Sequence, residues 1–228
     1  MKHDPSRAAN ATHSSLLEMF DRLFGRWGPQ HWWPAESDVE IVVGAILTQN
    51  TAWTNVERAI ANLRAADGLS WTTLRDLAPA RLSELIRPAG TYRLKTKRLK
   101  AFVATLWNEH AGSLDRMMHG ELDAVRARLL AIHGIGPETA DAILLYVGRR
   151  PAFVVDAYTQ RVLRRHLLTD ARATYESTRQ LVHDRLPADP ELFNEFHAMF
   201  VAVGKAYCRP KARCAECPLR GMPHDESL

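Results

Sequence analysis

The 228 residues are 46% hydrophobic and 25% charged, a globular balance that excludes a disordered chain. Thirty basic against 26 acidic side chains give a net charge of +4, which permits a polyanionic partner without demanding one. No apolar run approaches the ~18 residues of a membrane span, and Met1-Lys2-His3-Asp4-Pro5 lacks an apolar leader, so a soluble, cytoplasmic chain with no membrane partner is expected.

In chain order nearly every segment reads as helix. Ser14 and Ser15 offer caps before Leu16, Leu17, Phe20, Leu23 and Phe24, which share one helix face. An aromatic loop follows from Gly25 to Pro34, with Trp27, Trp32 and Trp33. Asp38 can cap a second helix through Leu47, and Val56, Ile60 and Leu63 mark a third over Thr54–Ala66. Thr72 to Leu77 suits at most a helical turn. Pro79 opens a helix that stops before Pro88-Ala89-Gly90, and Leu99, Phe102, Val103 and Leu106 place another over Thr96–Glu109.

Further helices are expected over Asp123–Ile132, Pro137–Val147, Asp156–Leu168, Ala173–Leu186 and Pro190–Tyr207. Phe153-Val154-Val155 could be a strand, but no partner strand is evident, so it reads as a buried lead-in. The expected class is all-α. Basic residues gather at Arg93/Lys95/Lys97/Arg98/Lys100, at Arg149/Arg150 with Arg161/Arg164/Arg165, and at Arg209/Lys211/Arg213; each could be a solvated face or a polyanion contact.

The stretch from Leu129 to Leu144 is the most specific signal. Gly134 and Gly136 flank Ile135 between two amphipathic helices, and Pro137 suits a first helical turn that needs no amide donor. Hairpin amides and a helix N-terminus facing outward make a phosphate site. A plain turn between packed helices would lack a use for so particular a pattern.

With Val154-Val155-Asp156, this pattern resembles the helix-hairpin-helix and Gly/Pro-Asp signature (HhH-GPD) of endonuclease III-type DNA glycosylases, over about residues 15–220. Leu47-Thr48-Gln49-Asn50-Thr51, Pro88-Ala89-Gly90-Thr91-Tyr92 and Gly204-Lys205 before Cys208 join it. Trp32-Trp33-Pro34 and Trp53 are most similar to the 3-methyladenine DNA glycosylase III branch. The resemblance implies a six-helix barrel over 37–151, a second helical domain from 1–36 with 152–228, and a flipped base entering between them.

It also implies roles. Asp156, by itself an N-cap candidate, falls at the catalytic aspartate; a fixed carboxylate can stabilise the positive charge that develops on the sugar. Members that also cut the strand carry a lysine where this chain has Glu138, and a carboxylate forms no Schiff base, so a monofunctional enzyme is expected. Gln49 and Thr91 fall where wedges enter the base stack, and Gly134, Ile135 and Gly136 where phosphate is held. Trp32, Trp33, Pro34, Trp53 and Lys205 would form the base pocket, suited by its indole faces to a cationic alkylated purine. Met199 stands where that branch has another lysine. The implied partner is double-stranded DNA carrying a damaged base, met by a monomer at the nucleoid. A bifunctional glycosylase/lyase and a non-catalytic binder of damaged DNA are the alternatives.

All three cysteines lie near the C-terminus, a spacing for a metal rather than a disulfide framework. Cys208, Cys214 and Cys217 resemble the start of the family's [4Fe-4S] loop, but five residues separate the first two, one fewer than usual. The place of the fourth cysteine holds Met222-Pro223-His224-Asp225. A cluster completed by His224 or Asp225, a zinc site with His224, and an empty loop all remain open.

Overall fold

The computed structural model describes residues 5–228, with side chains from Ser15 onward; the expectations resting on Met1–Asp4 and on the Ser14 side chain lie outside the described residues. Twelve α-helices and two short 3-10 turns make up the regular structure, and no strand occurs among the described residues. The described residues divide into two compact units, the first of 5–32 with Pro151–Leu228 and the second of Trp33–Arg150.

The first unit is built on α1 (Pro5–Trp27), α10 (Ala157–Arg165), α11 (Tyr175–Arg185) and α12 (Pro190–Ala206). Helix α1 begins nine residues before the expected Ser14 start and runs past Gly25; Leu16, Met19 and Leu23 form its buried apolar face, and the helix packs on α11 and α12. Phe153 is fully buried and meets Phe193 edge-on at 5.3 Å, while Phe196 and Phe200 stack at 4.4 Å. The Phe153-Val154-Val155 run is thus an extended, buried lead-in to α10, as its apolarity suggested. Helix α10 lies close along α12 because Gly204 has no side chain: a Cβ there would stand 2.3 Å from Tyr158.

The second unit holds α2 (Asp38–Leu47), α3 (Trp53–Ala65), α4 (Trp71–Asp76), α5 (Pro79–Leu85), α6 (Tyr92–His110), α7 (Leu114–Met118), α8 (Leu122–Leu130) and α9 (Pro137–Tyr146). Ser37, not Asp38, caps α2: its hydroxyl accepts the Glu40 amide, and Asp38 adds favourable charge to the first turn. Helix α6 starts at Tyr92, a turn before the expected Thr96, and α7 was not anticipated. The hairpin helices α8 and α9 are clamped by a bidentate pair, Arg126 to Asp141 at 2.7 and 3.0 Å, with Asp141 wholly buried. A removed partner would leave an uncompensated charge in the core.

Among the described residues, no helix is long and apolar enough to cross a membrane.

Candidate active site and nucleic-acid interface

Asp156 is the N-cap of α10. Its Oδ1 accepts the Thr159 amide at 2.7 Å, and His197 of α12 faces Oδ2 with Nε2 at 3.7 Å. The side chain keeps 14% of its surface exposed. Burial pushes the carboxyl up, but His197, by hydrogen bonding and charge, and Thr159 outweigh it, so Asp156 is held below the usual carboxylate range. The cap and the ionised group are one feature: the helix fixes a carboxylate that still meets solvent.

The hairpin turns at Gly134, whose φ of +85° favours glycine. A Cβ there would lie 2.3 Å from Arg98 Cγ, so the α6 arginine lies directly over the turn. Gly136 departs from expectation: its φ of −93° suits any residue, and nothing lies within 4 Å of where its Cβ would be. Its use is therefore the clear surface it leaves. Ile135 also differs from a ligand-facing residue. Its side chain is buried and its amide bonds the Ile132 carbonyl at 3.0 Å, so it anchors the turn from within.

Gln49, just after α2, is tied to that hairpin. Its Nε2 donates to the Gly134 carbonyl at 3.1 Å and to Thr139 Oγ1 at 2.9 Å, and Arg98 donates to its Oε1. Thr91 is exposed in the left-handed region at φ 39°, between Gly90 and α6. Nearby Leu94 is 42% exposed, an apolar side chain in a basic neighbourhood that sequence patterning did not single out.

The basic cluster beside these residues is only in part a surface. Lys95 is fully buried, with Nζ donating to the Leu47 carbonyl at 2.8 Å and the Ala89 carbonyl at 2.7 Å. Burial, then the nearby Arg98 charge, lower its pKa to about 8. Lys100 likewise turns inward onto the carbonyls of Leu74, Arg75 and Leu77. Arg165, in the second cluster, is also buried.

Of the expected pocket residues, Trp33, Pro34 and Trp53 come together. Trp33 meets Trp53 edge-on at 5.1 Å and Tyr146 at 5.3 Å. Gly44 lets the Trp33 indole against α2, since a Cβ would stand 3.1 Å from the ring. These residues line a cavity of about 370 Å³ whose wall also carries Glu36, Glu40, Glu57 and Arg64. Arg64 pairs with Glu40 at 2.8 Å and Glu36 at 3.3 Å, so carboxylates outnumber the guanidinium. Trp32 and Lys205 belong to the other unit. The loop before Trp32 is held there by Glu195, which accepts the amides of Gln30 at 2.7 Å and His31 at 3.3 Å. Lys205 is exposed near the end of α12.

In the tail, Cys208 and Cys217 are buried and Cys214 half-buried. Ligand atoms of Cys214, His224 and Glu226 all lie within 4.8 Å of one another. Sulfur and imidazole donors of this kind fit a thiolate-held metal centre.

Residues 43–188 match the HhH-GPD superfamily base excision DNA repair protein family. The DNA repair glycosylase candidate MJ1434 of Methanocaldococcus jannaschii is 45% identical, over 90% of this chain and 94% of its own length. Endonuclease III of Thermotoga maritima is 29% identical over 79% of each. The H. pylori 3-methyladenine DNA glycosylase MagIII, solved with 1,N6-ethenoadenine, superposes with a TM-score of 0.70 at 26% identity, covering 85% of this chain and 97% of that one. An endonuclease III–DNA complex shares the fold with a TM-score of 0.80 at 17% identity, over 92% and 94%.

Proposed function

The chain belongs to the HhH-GPD superfamily of base excision DNA repair proteins and is a DNA glycosylase of that class, and from this premise we propose that it hydrolyses the N-glycosidic bond of a flipped, alkylated purine such as 3-methyladenine and leaves the strand uncut. The observation that carries the reading is Asp156, a carboxyl kept ionised by His197 and Thr159 yet open to solvent. Bond cleavage leaves positive charge on the sugar. A fixed carboxylate stabilises that charge, orients the attacking water and accepts its proton. A base that already carries positive charge departs neutral, so no acid need protonate it.

The cavity at Trp33, Pro34 and Trp53 supports the choice of base. Indole faces attract a delocalised cation, and Glu36, Glu40 and Glu57 give the wall an excess of negative charge over Arg64. Trp32 and Lys205 keep the base-recognition role that the family pattern assigns to their positions. For DNA, the reading assigns Gly134 and Gly136, with Ile135 as their anchor, to phosphate, and Gln49 and Thr91 to the opened stack. A metal centre at the cysteines would brace the loop of Arg209, Lys211 and Arg213 against phosphate. The partner is double-stranded DNA, met by a monomer in the nucleoid-containing cytoplasm.

Glu138, exposed in the first turn of α9, occupies the lyase-lysine position and supports hydrolysis without strand cutting. The test is incubation with methylated duplex DNA and identification of the free bases. Release of 3-methyladenine, with intact abasic strands and no adduct on borohydride treatment, is expected. A duplex that yields no base, or a trapped adduct, would refute the proposal.

A further inference from the structure

We propose that Arg98 is a positioning residue that latches the Gln49 side chain onto the hairpin and releases it when a DNA phosphate draws the guanidinium away. The inference rests on the reading of the hairpin as a phosphate grip and of Gln49 as the side chain that enters the stack.

The Gln49 amide is fully engaged. Arg98 donates to Oε1, and Nε2 donates to the Gly134 carbonyl at 3.1 Å and to Thr139 Oγ1 at 2.9 Å. A guanidinium only donates and a backbone carbonyl only accepts, so the amide has one orientation here. Both Nε2 protons are committed to the hairpin, and none is left for a nucleobase. The backbone on either side is fastened as well. Lys95 holds the Leu47 carbonyl at 2.8 Å, the Thr48 amide bonds the Gly44 carbonyl at 2.8 Å, and the Thr51 amide bonds the Thr48 carbonyl at 3.2 Å. Release of Gln49 is therefore a rotation of one side chain about a fixed loop.

Arg98 supplies the trigger. Its stem crosses the turn so closely that a Cβ at Gly134 would stand 2.3 Å from Cγ and 2.8 Å from Cδ. The absent side chain at Gly134 thus makes room for Arg98 as well as allowing the left-handed φ. The Arg98 Nε is buried without a hydrogen-bond partner, and among the described residues no carboxylate pairs with the guanidinium. A half-buried cation beside the phosphate turn is balanced only by a neutral amide. Guanidinium binds phosphate by charge-assisted, bidentate contacts that are roughly twice as strong as neutral ones. A phosphate on the hairpin therefore takes Arg98 from Gln49 Oε1, and two neutral contacts at Nε2 remain to be broken. Backbone grip comes first and stack entry second.

The test uses the full chain and a duplex with a tetrahydrofuran abasic-site analogue facing 2-aminopurine. Anisotropy of a terminal dye follows association, and 2-aminopurine fluorescence follows opening of the stack, both by stopped flow. The native chain should associate first and change the fluorescence in a slower, separate step. Thr139→Val removes one latch contact and should speed that step at least about threefold with association unchanged. Arg98→Met keeps the stem over Gly134 without the charge. Its two steps should merge, and the slope of log affinity against log salt should fall by about one. Arg98→Lys should recover the slope. Two latch variants on different helices keep the test valid should one fail to fold. Gln49→Ala should abolish the fluorescence step. If it does so while Thr139→Val and Arg98→Met leave the rate of that step unchanged, the latch is wrong and the wedge stands. Fluorescence that persists in Gln49→Ala removes the wedge reading and the latch with it. An unchanged salt slope in Arg98→Met, or native fluorescence that rises together with association, also overturns the proposal.

Discussion

His197 Nε2 stands 3.7 Å from Asp156 Oδ2, while Oδ1 of the same carboxyl accepts the Thr159 amide at 2.7 Å. One oxygen thus serves the helix and the other faces the imidazole. Asparagine caps a helix about as well as aspartate, so Asp156→Asn should keep the helix start and the fold, losing only the part of stability that the ionised carboxyl adds. It removes the negative charge, and base release should fall at least about a hundredfold while DNA affinity survives. Thermal melts, DNA binding and a base-release assay on one preparation check this. Equal loss of all three would reduce Asp156 to a structural cap.

The pH profile separates His197 from a packing residue. Burial raises the Asp156 pKa, and His197 and Thr159 more than offset it, leaving it depressed. A depressed carboxyl contributes stability above its unfolded pKa and loses it as pH falls through the folded value. The acid limb of base release should therefore lie below the usual carboxylate range. His197→Phe keeps the buried volume but not the polar contact, and should move that limb upward. A slower variant with an unmoved limb would make His197 a packing residue only.

Lys95 donates to carbonyls beside both expected wedge residues: Leu47 lies two residues before Gln49, and Ala89 two before Thr91. Lys95→Met leaves both acceptors buried and unpaired, at about 1–3 kcal/mol each. A melting temperature several degrees lower and weaker DNA binding should follow. The sign with pH is fixed. The folded lysine loses its proton near pH 8 while the unfolded chain keeps it to about 10.5, so native stability relative to Lys95→Met should rise over that interval. Chemical denaturation at pH 7 and pH 10 measures it, and a gap that narrows would contradict the assignment.

The two hairpin glycines should respond differently. At Gly134, alanine meets a left-handed φ and the Arg98 side chain together, so at least about 1 kcal/mol of stability is lost. Because Arg98 also holds Gln49, DNA affinity should fall with it. At Gly136 the backbone is ordinary and the space open, so alanine should leave the melting temperature unchanged. On the proposed reading its methyl nonetheless meets the phosphate, and DNA binding should weaken. Retained affinity in Gly136→Ala would remove this surface from the phosphate site.

The hairpin was legible in the sequence because its requirements are local: a positive φ at Gly134, a proline at the first turn of α9, and apolar faces on either side. Asp156 was legible only through the family pattern, since composition alone made it a cap. Four features were hidden for physical reasons. Helix α7 spans five residues, too few to show a period. The first turn of α6 carries Tyr92, Arg93, Leu94 and Lys95, a mixed set without an apolar stripe. Lys95 looked like surface charge because its burial is decided by a carbonyl 48 residues away. His197, similarly, was one polar residue in an apolar helix until α12 was set against α10.

Glu138 gives the most direct test of the hydrolytic reading. It sits one residue past Pro137 at the start of α9, exposed, where acidic charge complements the helix dipole. Replacing it with lysine forfeits that complement, about 0.3–1 kcal/mol, and the fold should survive. On the hydrolytic reading an amine at this place takes over from water in attacking the sugar carbon, and the imine it forms is trapped by borohydride. Glu138→Lys should therefore yield a covalent protein–DNA adduct on damaged duplex, with the native chain yielding none. Adduct from the native chain would place a lyase nucleophile elsewhere and defeat the monofunctional reading; adduct from neither, with base release intact in the variant, would show that position 138 does not reach the sugar.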